Sequence, residues 1–339
     1  MCKVSVIGAG SWGSSLALVL KDNDNDVCLW MRREEQLQEL RDNNTNKKYL
    51  KDIIFPKDIN YTNDLEYAIN FADVIILSVT TQSTREYLKK IKPYLRDNQI
   101  VVNVSKGIEV NTNLRISQIY DEIIGNDNFV VLSGPSHAEE VSKKLPTTVV
   151  SASKNIDIAK KVQIIFSNEY FRVYTNSDIM GVELGGALKN IIALGSGICD
   201  AVGYGDNTRA ATITRGIHEI SRLGVKMGAN PQTFTGLSGI GDLIVTCTSN
   251  HSRNKRAGAF IAQGYSKDEV QEKVGMAVEG ISTTFAGYEL SKKYKIQMPI
   301  TEAIYEVIYN SKDIKSCVKS LMRRDTKSEI MSEDNFIKF

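Results

Sequence analysis

Two rhythms of apolar and polar positions divide the chain near residue 177. Before that point, short β-branched runs alternate with amphipathic stretches. Lys3-Val4-Ser5-Val6-Ile7 is such a run, and Leu16, Leu18, Val19 and Leu20 follow it at helical spacing. Further runs are 27–30, 73–79, 100–104, 129–132, 147–151 and 170–174. Nearly continuous apolar character over so few residues is the mark of strands buried on both faces. Helices are predicted over 84–91, stopped by Pro93, over 113–124, and over 156–166. Ser136 followed by Glu139 reads as a capping box that opens another. Residues 43–60 are polar and interrupted by Pro56, which predicts a loop with little regular structure. After Ser177 the strand pattern stops, and helical runs cover 179–202, 207–227, 240–247, 253–263, 281–294 and 298–311. The charged stretch after Met322 is expected to fray.

The alternation predicts a doubly wound α/β sheet domain over residues 1–177, followed by an all-α domain over 178–339 with a charged C-terminal tail. The length of 339 residues fits two domains. Hydrophobic residues make up 42% and charged residues 24%, ordinary values for a globular protein. The net charge is 42 − 40 = +2, which argues against a general nucleic-acid or membrane surface. Cys2, Cys28, Cys199, Cys247 and Cys317 are scattered, with no CxxC pair, as expected of reduced thiols in a cytoplasmic protein. His137, His218 and His251 lie far apart and no HExxH occurs, so no metal site is expected. The chain enters its first strand without a charged-then-apolar leader, and no apolar run approaches the roughly 18–20 residues of a membrane span.

Chemistry concentrates first at Gly8-Ala9-Gly10-Ser11-Trp12-Gly13. Three glycines at this spacing are weak evidence alone and strong evidence between a strand and a helix. Gly8 permits the tight turn, Gly10 lets a pyrophosphate approach the backbone, and Gly13 lets helix and strand pack closely. The helix N-terminus then offers free N–H groups to the phosphates. The fold is therefore expected to be of Rossmann type. Its second strand leads into Met31-Arg32-Arg33, with arginines where an acid would select the ribose hydroxyl of NAD. That points to NADPH as the preferred cofactor, with NADH usable; the bland alternative is a solvated pair opening a helix. Lys106 and Gly134–Ser136 lie at strand ends, where such sheets bind ligands. Otherwise Lys106 is a surface lysine, and His137 a first-turn helix residue.

In the second half, Gly185-Gly186-Ala187-Leu188-Lys189-Asn190 sits inside a helical run. Gly mid-helix costs roughly 1 kcal/mol against Ala, so the pair implies close approach by a backbone or ligand. A lysine in apolar surroundings can have its pKa lowered towards neutrality, as acid/base work requires. A second cluster runs from Gly236 through Asp242 to Ser249, followed by Ser252-Arg253-Asn254. Asp242 could cap a helix instead, and Arg253 could grip a phosphate or simply open a solvated helix.

Together these residues resemble the NAD(P)-dependent glycerol-3-phosphate dehydrogenases of bacterial type. The resemblance covers roughly residues 3–320 and rests on GAGSWG, VSKGIE, LSGPSHAEEV, GALKN, GDNTRAATITRG, GLSGIGDLIVTCTS, SRN and VEG, in that order. It implies reduction of dihydroxyacetone phosphate to sn-glycerol 3-phosphate, feeding phospholipid synthesis. It further implies that Ser11, Trp12, Arg32, Ala138, Ala277 and Glu279 meet the dinucleotide, and that Lys106 touches both cofactor and substrate. Gly134 and Ser136 would line the substrate. Lys189 would be the proton donor and acceptor, oriented by Asp242. Ser252, Arg253 and Asn254 would hold the phosphate end, with Arg253 also reaching the cofactor. The chain departs from the family in carrying Thr80 after Val79, where proline is usual.

The residues by themselves leave rivals open. A related hydroxyacid dehydrogenase or a ketopantoate-type reductase would share the two halves and a lysine. A non-catalytic NADPH-binding module would need only the first half. No nucleic acid or membrane partner is expected, and the sequence is compatible with a homodimer.

Overall fold

The computed structural model describes residues 1–326, 328 and 329; the end of the charged tail, where fraying is expected, lies outside the described residues. Contacts between residues divide the chain into two units. One holds residues 1–105 and 116–179, the other 106–115 and 180 onward.

The first unit is built on an eight-stranded sheet. In chain order its elements are β1 (Lys3–Ile7), α1 (Ser11–Asp22), β2 (Asp26–Trp30), α2 (Glu34–Asn43), β3 (Thr45–Asn46), β4 (Leu50–Ile54), β5 (Asn60–Thr62), α3 (Leu65–Phe71), β6 (Val74–Leu77), α4 (Thr84–Ile91), β7 (Ile100–Asn103), α5 (Ile116–Ile123), β8 (Phe129–Ser133), α6 (Ala138–Val141), β9 (Thr147–Ala152), α7 (Ile156–Phe166) and β10 (Phe171–Asn176). The sheet order is β10-β9-β8-β7-β6-β1-β2-β5. From β5 to β8 all neighbours are parallel, giving the 3-2-1-4-5-6 order of a Rossmann sheet. Only the β8–β9 pair is antiparallel, and β10 follows β9 in parallel. Strands β1, β6 and β7 lie mid-sheet, and apart from Lys3 at the start of β1 all their residues are buried. That two-sided burial is why they read as nearly continuous apolar runs, with only Ser5 and Asn103 as buried polar residues.

Two expectations for this unit need correction. The segment 43–60 is not irregular: β3 and β4 form a small antiparallel hairpin, and β5 begins at Asn60. The residues of β4 are mostly exposed, so no apolar alternation marks them. The capping box at Ser136 is also absent. α6 begins at Ala138 with His137 at its cap, and the Ser136 hydroxyl donates to the Gly134 carbonyl at 2.8 Å.

The second unit is helical: α8 (Ile179–Val202), α9 (Asp206–Met227), α10 (Pro231–Phe234), α11 (Asp242–Thr248), α12 (Arg253–Ala262), α13 (Lys267–Val274), α14 (Glu279–Tyr294), α15 (Pro299–Tyr309) and α16 (Ile314–Met322). α13 is opened by a true capping box, Ser266 with Glu269, that the helical pattern alone did not reveal. The core of this unit packs around α8, where Leu184, Leu188, Ile191, Ile192 and Leu194 meet Leu223, Phe234, Leu243 and Leu290. α8 is long and apolar enough to cross a membrane by length and composition alone, although Glu183, Lys189 and Asn190 interrupt its apolar run. Its apolar window is 94% buried inside the protein, the setting of a core helix.

By their contacts, residues 106–115 group with this helical unit although they follow β7. The physical reason is a set of anchors. Ile108 is fully buried in the helical core. Asn190 of α8 donates to the Lys106 carbonyl at 2.9 Å. Arg115 forms a buried ion pair with Glu183 of α8.

Candidate active site

The glycine loop of the first unit has the form its spacing implies. Gly8 adopts φ +116°, and a Cβ there would stand 2.4 Å from the Ser78 carbonyl oxygen. A Cβ on Gly13 would stand 2.0 Å from the Gly8 oxygen, so neither position tolerates a side chain. A Cβ on Gly10 would meet no atom within 4 Å. Its glycine is thus not demanded by packing, and the space above it is open for a ligand. The loop is held from behind: the Ala9 carbonyl accepts from Gln36 at 2.6 Å and from Asn46 at 3.1 Å. Asn46 also donates to Ser14 at 2.9 Å. The Ser11 hydroxyl donates to the Tyr49 carbonyl at 3.2 Å. Trp12 packs partly against the sheet core, and its buried indole N–H has no acceptor among the described residues. An open cradle at the start of a helix and an orphaned buried donor fit a dinucleotide.

Arg32 is exposed, whereas Arg33 is half-buried and held. The Arg33 guanidinium donates to Gln36 at 3.2 Å and to the Tyr49 hydroxyl at 3.1 Å, and lies 5.6 Å from the Tyr49 ring centroid. The sequence singled out the arginines and missed Tyr49, Gln36 and Asn46. The signal was a weak one: an aromatic and one amide in a segment that read as loop, and a second amide on the helix before it. Ala138 sits at the start of α6, its carbonyl accepting from Ser15 of α1 at 2.9 Å. Gly134 has φ +140° and backs onto Val149.

The second unit gathers three charged side chains. Asp242, at the start of α11, is 1% exposed and Lys189 of α8 only 5%. Lys189 Nζ contacts Asp242 Oδ1 directly and also donates to the Thr246 hydroxyl at 2.7 Å. Lys106 Nζ reaches the other carboxylate oxygen, Oδ2, at 2.8 Å. One buried carboxylate thus bridges two ammonium groups. Burial would raise the Asp242 pKa, but Lys106 and Lys189 outweigh it and hold it below the usual carboxylate range. For Lys189, burial is the dominant influence; Lys106 adds to it and Asp242 opposes it, and the pKa falls to about 7. Gly185 explains how the carboxylate comes so near the helix. A Cβ there would lie 2.5 Å from the Ser238 carbonyl oxygen, in the turn that delivers Asp242.

Asn190 and Asn254 extend the cluster. Asn254 donates to Asn190 at 2.8 Å and accepts from the Gly280 N–H at 2.9 Å, at the start of α14. Ser252 caps α12, accepting from the Lys255 N–H at 3.2 Å. Arg253 donates to the Ala277 carbonyl at 3.2 Å, which brings it beside the loop that leads to Glu279. The helical unit therefore brings together Lys106, Lys189 and Asp242, and links Asn254, Arg253 and Ala277 to them through α8, α12 and α14. Thr246 and Asn190 were not singled out as site residues. Thr246 stands four residues after Asp242 on a helix, a spacing that could have found it.

A Rossmann sheet with an open glycine loop, and a helical unit with a buried lysine poised near neutrality, define an NAD(P)-dependent dehydrogenase. Residues 3–159 match the family model described as NAD-dependent glycerol-3-phosphate dehydrogenase N-terminus, and residues 178–319 that described as its C-terminus. The chain belongs to the NAD-dependent glycerol-3-phosphate dehydrogenase family. It is 52% identical over 333 residues to glycerol-3-phosphate dehydrogenase (NAD(P)+) of Bacillus subtilis, covering 97% of this chain and 96% of that protein. The Enterococcus faecalis enzyme of the same name is 51% identical over 330 residues, 96% of this chain and 97% of the relative. A crystal structure of glycerol-3-phosphate dehydrogenase from Coxiella burnetii matches with a TM-score of 0.91 at 35% identity, covering 95% of this chain and 99% of that one. A ketopantoate reductase from Ralstonia eutropha shares the fold alone, with a TM-score of 0.59 at 14% identity.

Proposed function

We propose that the protein reduces dihydroxyacetone phosphate to sn-glycerol 3-phosphate with NAD(P)H, supplying glycerophospholipid synthesis. The observation that carries this reading is the Lys189–Asp242–Lys106 cluster, in a chain of this family. A bound nicotinamide supplies or takes up the hydride. The protein's task is to bind, orient and move one proton.

In reduction, negative charge grows on the substrate's carbonyl oxygen. The Lys189 ammonium donates its proton there, and the neutral amine takes one from the hydroxyl in oxidation. A pKa near 7 keeps both forms populated at neutral pH. An ammonium has three N–H donors. Asp242 and Thr246 occupy two of them, which leaves the third for the substrate oxygen. Asp242 stays ionised and keeps Lys189 oriented. Lys106 adds a second positive charge where the oxyanion develops. Ser252, Arg253 and Asn254 hold the phosphate end, with Gly134 and Ser136 lining the substrate.

On the cofactor side, Ser11, Trp12, Ala138, Ala277, Glu279 and the glycine loop receive the dinucleotide. NADPH is preferred and NADH remains usable. An acid that would repel a 2′-phosphate is absent after β2, and Arg33 is stacked and hydrogen-bonded in advance by Tyr49.

The test is NADPH oxidation with dihydroxyacetone phosphate, beside ketopantoate and simple 2-keto acids. Turnover confined to the acids would overturn the reading.

A further inference from the structure

The turn of residues 106–115 is closed on itself. The Glu109 N–H donates to the Leu114 carbonyl at 3.0 Å, and the Asn113 N–H to the Glu109 carbonyl at 3.0 Å. Asn111 and Asn113 take left-handed backbone, φ 75° and 56°, to complete it. Arg115 follows Leu114 directly, so whatever holds Arg115 also holds the strand of chain that carries Lys106. Arg115 is 7% exposed and Glu183, its partner on α8, 8%. Glu183 lies on the same helix as Lys189 and Asn190, and Asn190 grips the Lys106 carbonyl. A pair this deeply buried gains little net stability, because both charges lose their hydration. Breaking it by removing one partner, in contrast, leaves a buried charge uncompensated and forces the surroundings to move.

We propose that the Arg115–Glu183 pair is a latch that positions Lys106: it fastens the closed turn to α8 and so keeps the Lys106 ammonium on the second oxygen of Asp242. The inference rests on the acid/base reading of Lys189 above. Glu183 and Arg115 are positioning residues, since they act only through Lys106. Lys189 is faced by Asp242, Thr246 and Cys247 of α11 and by Lys106. Of these, Lys106 alone is a positive neighbour. When Lys106 leaves, Lys189 loses a like charge and has the Asp242 carboxylate more to itself. Both changes favour its protonated form.

The experiment is the pH dependence of kcat/KM for glycerol 3-phosphate oxidation with NADP+. In the wild type, the rate should rise with pH as Lys189 loses its proton. In Glu183→Gln the midpoint should move upward by about half a pH unit or more, and KM for glycerol 3-phosphate should rise. Arg115→Lys, which keeps the charge opposite Glu183, should leave the midpoint close to the wild-type value. A merely structural pair would lower the thermal midpoint and the height of the profile while leaving its position unchanged. Should Glu183→Gln fold poorly, the double variant Arg115→Gln with Glu183→Gln removes both charges and must show the same upward shift. An unmoved midpoint in a folded, active variant overturns the latch. Absence of turnover in the wild type overturns the functional reading itself, so the two failures are distinguishable.

Discussion

Lys189 and Asp242 stand fifty-three residues apart in the chain and touch side chain to side chain where both are almost wholly buried. Neither charge is comfortable alone in that setting. The carboxylate keeps its charge because two ammonium groups share it. The lysine hovers between its two forms because burial, with Lys106 beside it, outweighs the pull of the carboxylate.

Lys189→Ala is expected to abolish turnover in both directions while NADPH binding persists, since the residue lies in the helical unit and not in the glycine loop. General acid–base catalysis contributes on the order of 10²–10⁴-fold, and charge stabilisation adds to it. Steady-state kinetics beside a fluorescence titration with NADPH checks this. Retention of more than about a tenth of kcat would assign the proton to another group.

The two directions of the reaction should respond oppositely to pH. With Lys189 at about pKa 7, oxidation gains as pH rises through that value and reduction loses. In Asp242→Asn the counter-charge is gone, so the midpoint should move downward and reduction should suffer more than oxidation at neutral pH. Profiles measured both ways on the variant test it; a midpoint moving upward would contradict the assignment.

Arg253→Ala should chiefly weaken the phosphorylated substrate. A charge-assisted hydrogen bond is worth about 1.5–3 kcal/mol, so kcat/KM should fall by roughly ten- to a hundredfold or more. Dihydroxyacetone, lacking the phosphate, should be used poorly by the wild type and lose less on mutation. Equal losses on the two ketones would remove Arg253 from the phosphate.

Cofactor preference should follow the charge after β2. The wild type is expected to favour NADPH by kcat/KM, and Arg32→Asp or Arg33→Asp to turn the preference towards NADH. Tyr49→Ala, which removes both the ring and the hydroxyl that hold Arg33, should reduce the preference without reversing it. If the NADPH/NADH ratio stays constant across these variants, the arginines are solvated charges with no cofactor role.

Glu219 of α9 gives a stability prediction outside the site. Its carboxylate accepts from the backbone N–H of Ile300 at 2.6 Å and of Thr301 at 3.1 Å, and so caps α15. Burial nevertheless raises its pKa from 4.5 to about 7. Between those values the folded state holds a proton that the unfolded state has lost. The contribution is therefore complete below the unfolded value and disappears as pH rises through the folded one. The thermal midpoint of the wild type should fall between about pH 5 and about pH 8 by more than that of Glu219→Gln. Parallel slopes by calorimetry would show that Glu219 does not titrate in this window.

The sheet was legible from the sequence because its central strands are buried on both faces, as in Val74 to Leu77, and no polar residue breaks the run. The hairpin of β3 and β4 was not, because Lys51 and Asp52 lie exposed and mask the strand. α13 and α16 escaped for a related reason: they are short, and each buries only one or two residues. In the site, Lys189 and Asp242 could be found as polar residues among glycines, while their pairing was implied only by the family resemblance. That contact depends on the missing side chain at Gly185, which lets the turn before Asp242 settle on α8. Lys106 was legible as a strand-end residue. Its attachment to the helical unit was not, since that depends on Ile108, Asn190 and Glu183 acting together.

The chain enters the helical unit twice, once for the short turn at 106–115 and again from residue 180 onward. A cut at the seam near residue 179, by a protease or by an engineer splitting the gene, would release a helical fragment that carries Lys189 and Asp242 but not Lys106. Exchange of that fragment for a relative's would likewise leave Lys106 and Arg115 behind, to meet a foreign Asn190 and Glu183 position. Recombination between relatives must therefore match the turn to the helix it grips. The seam visible in the fold is not a place where the chemistry can be divided.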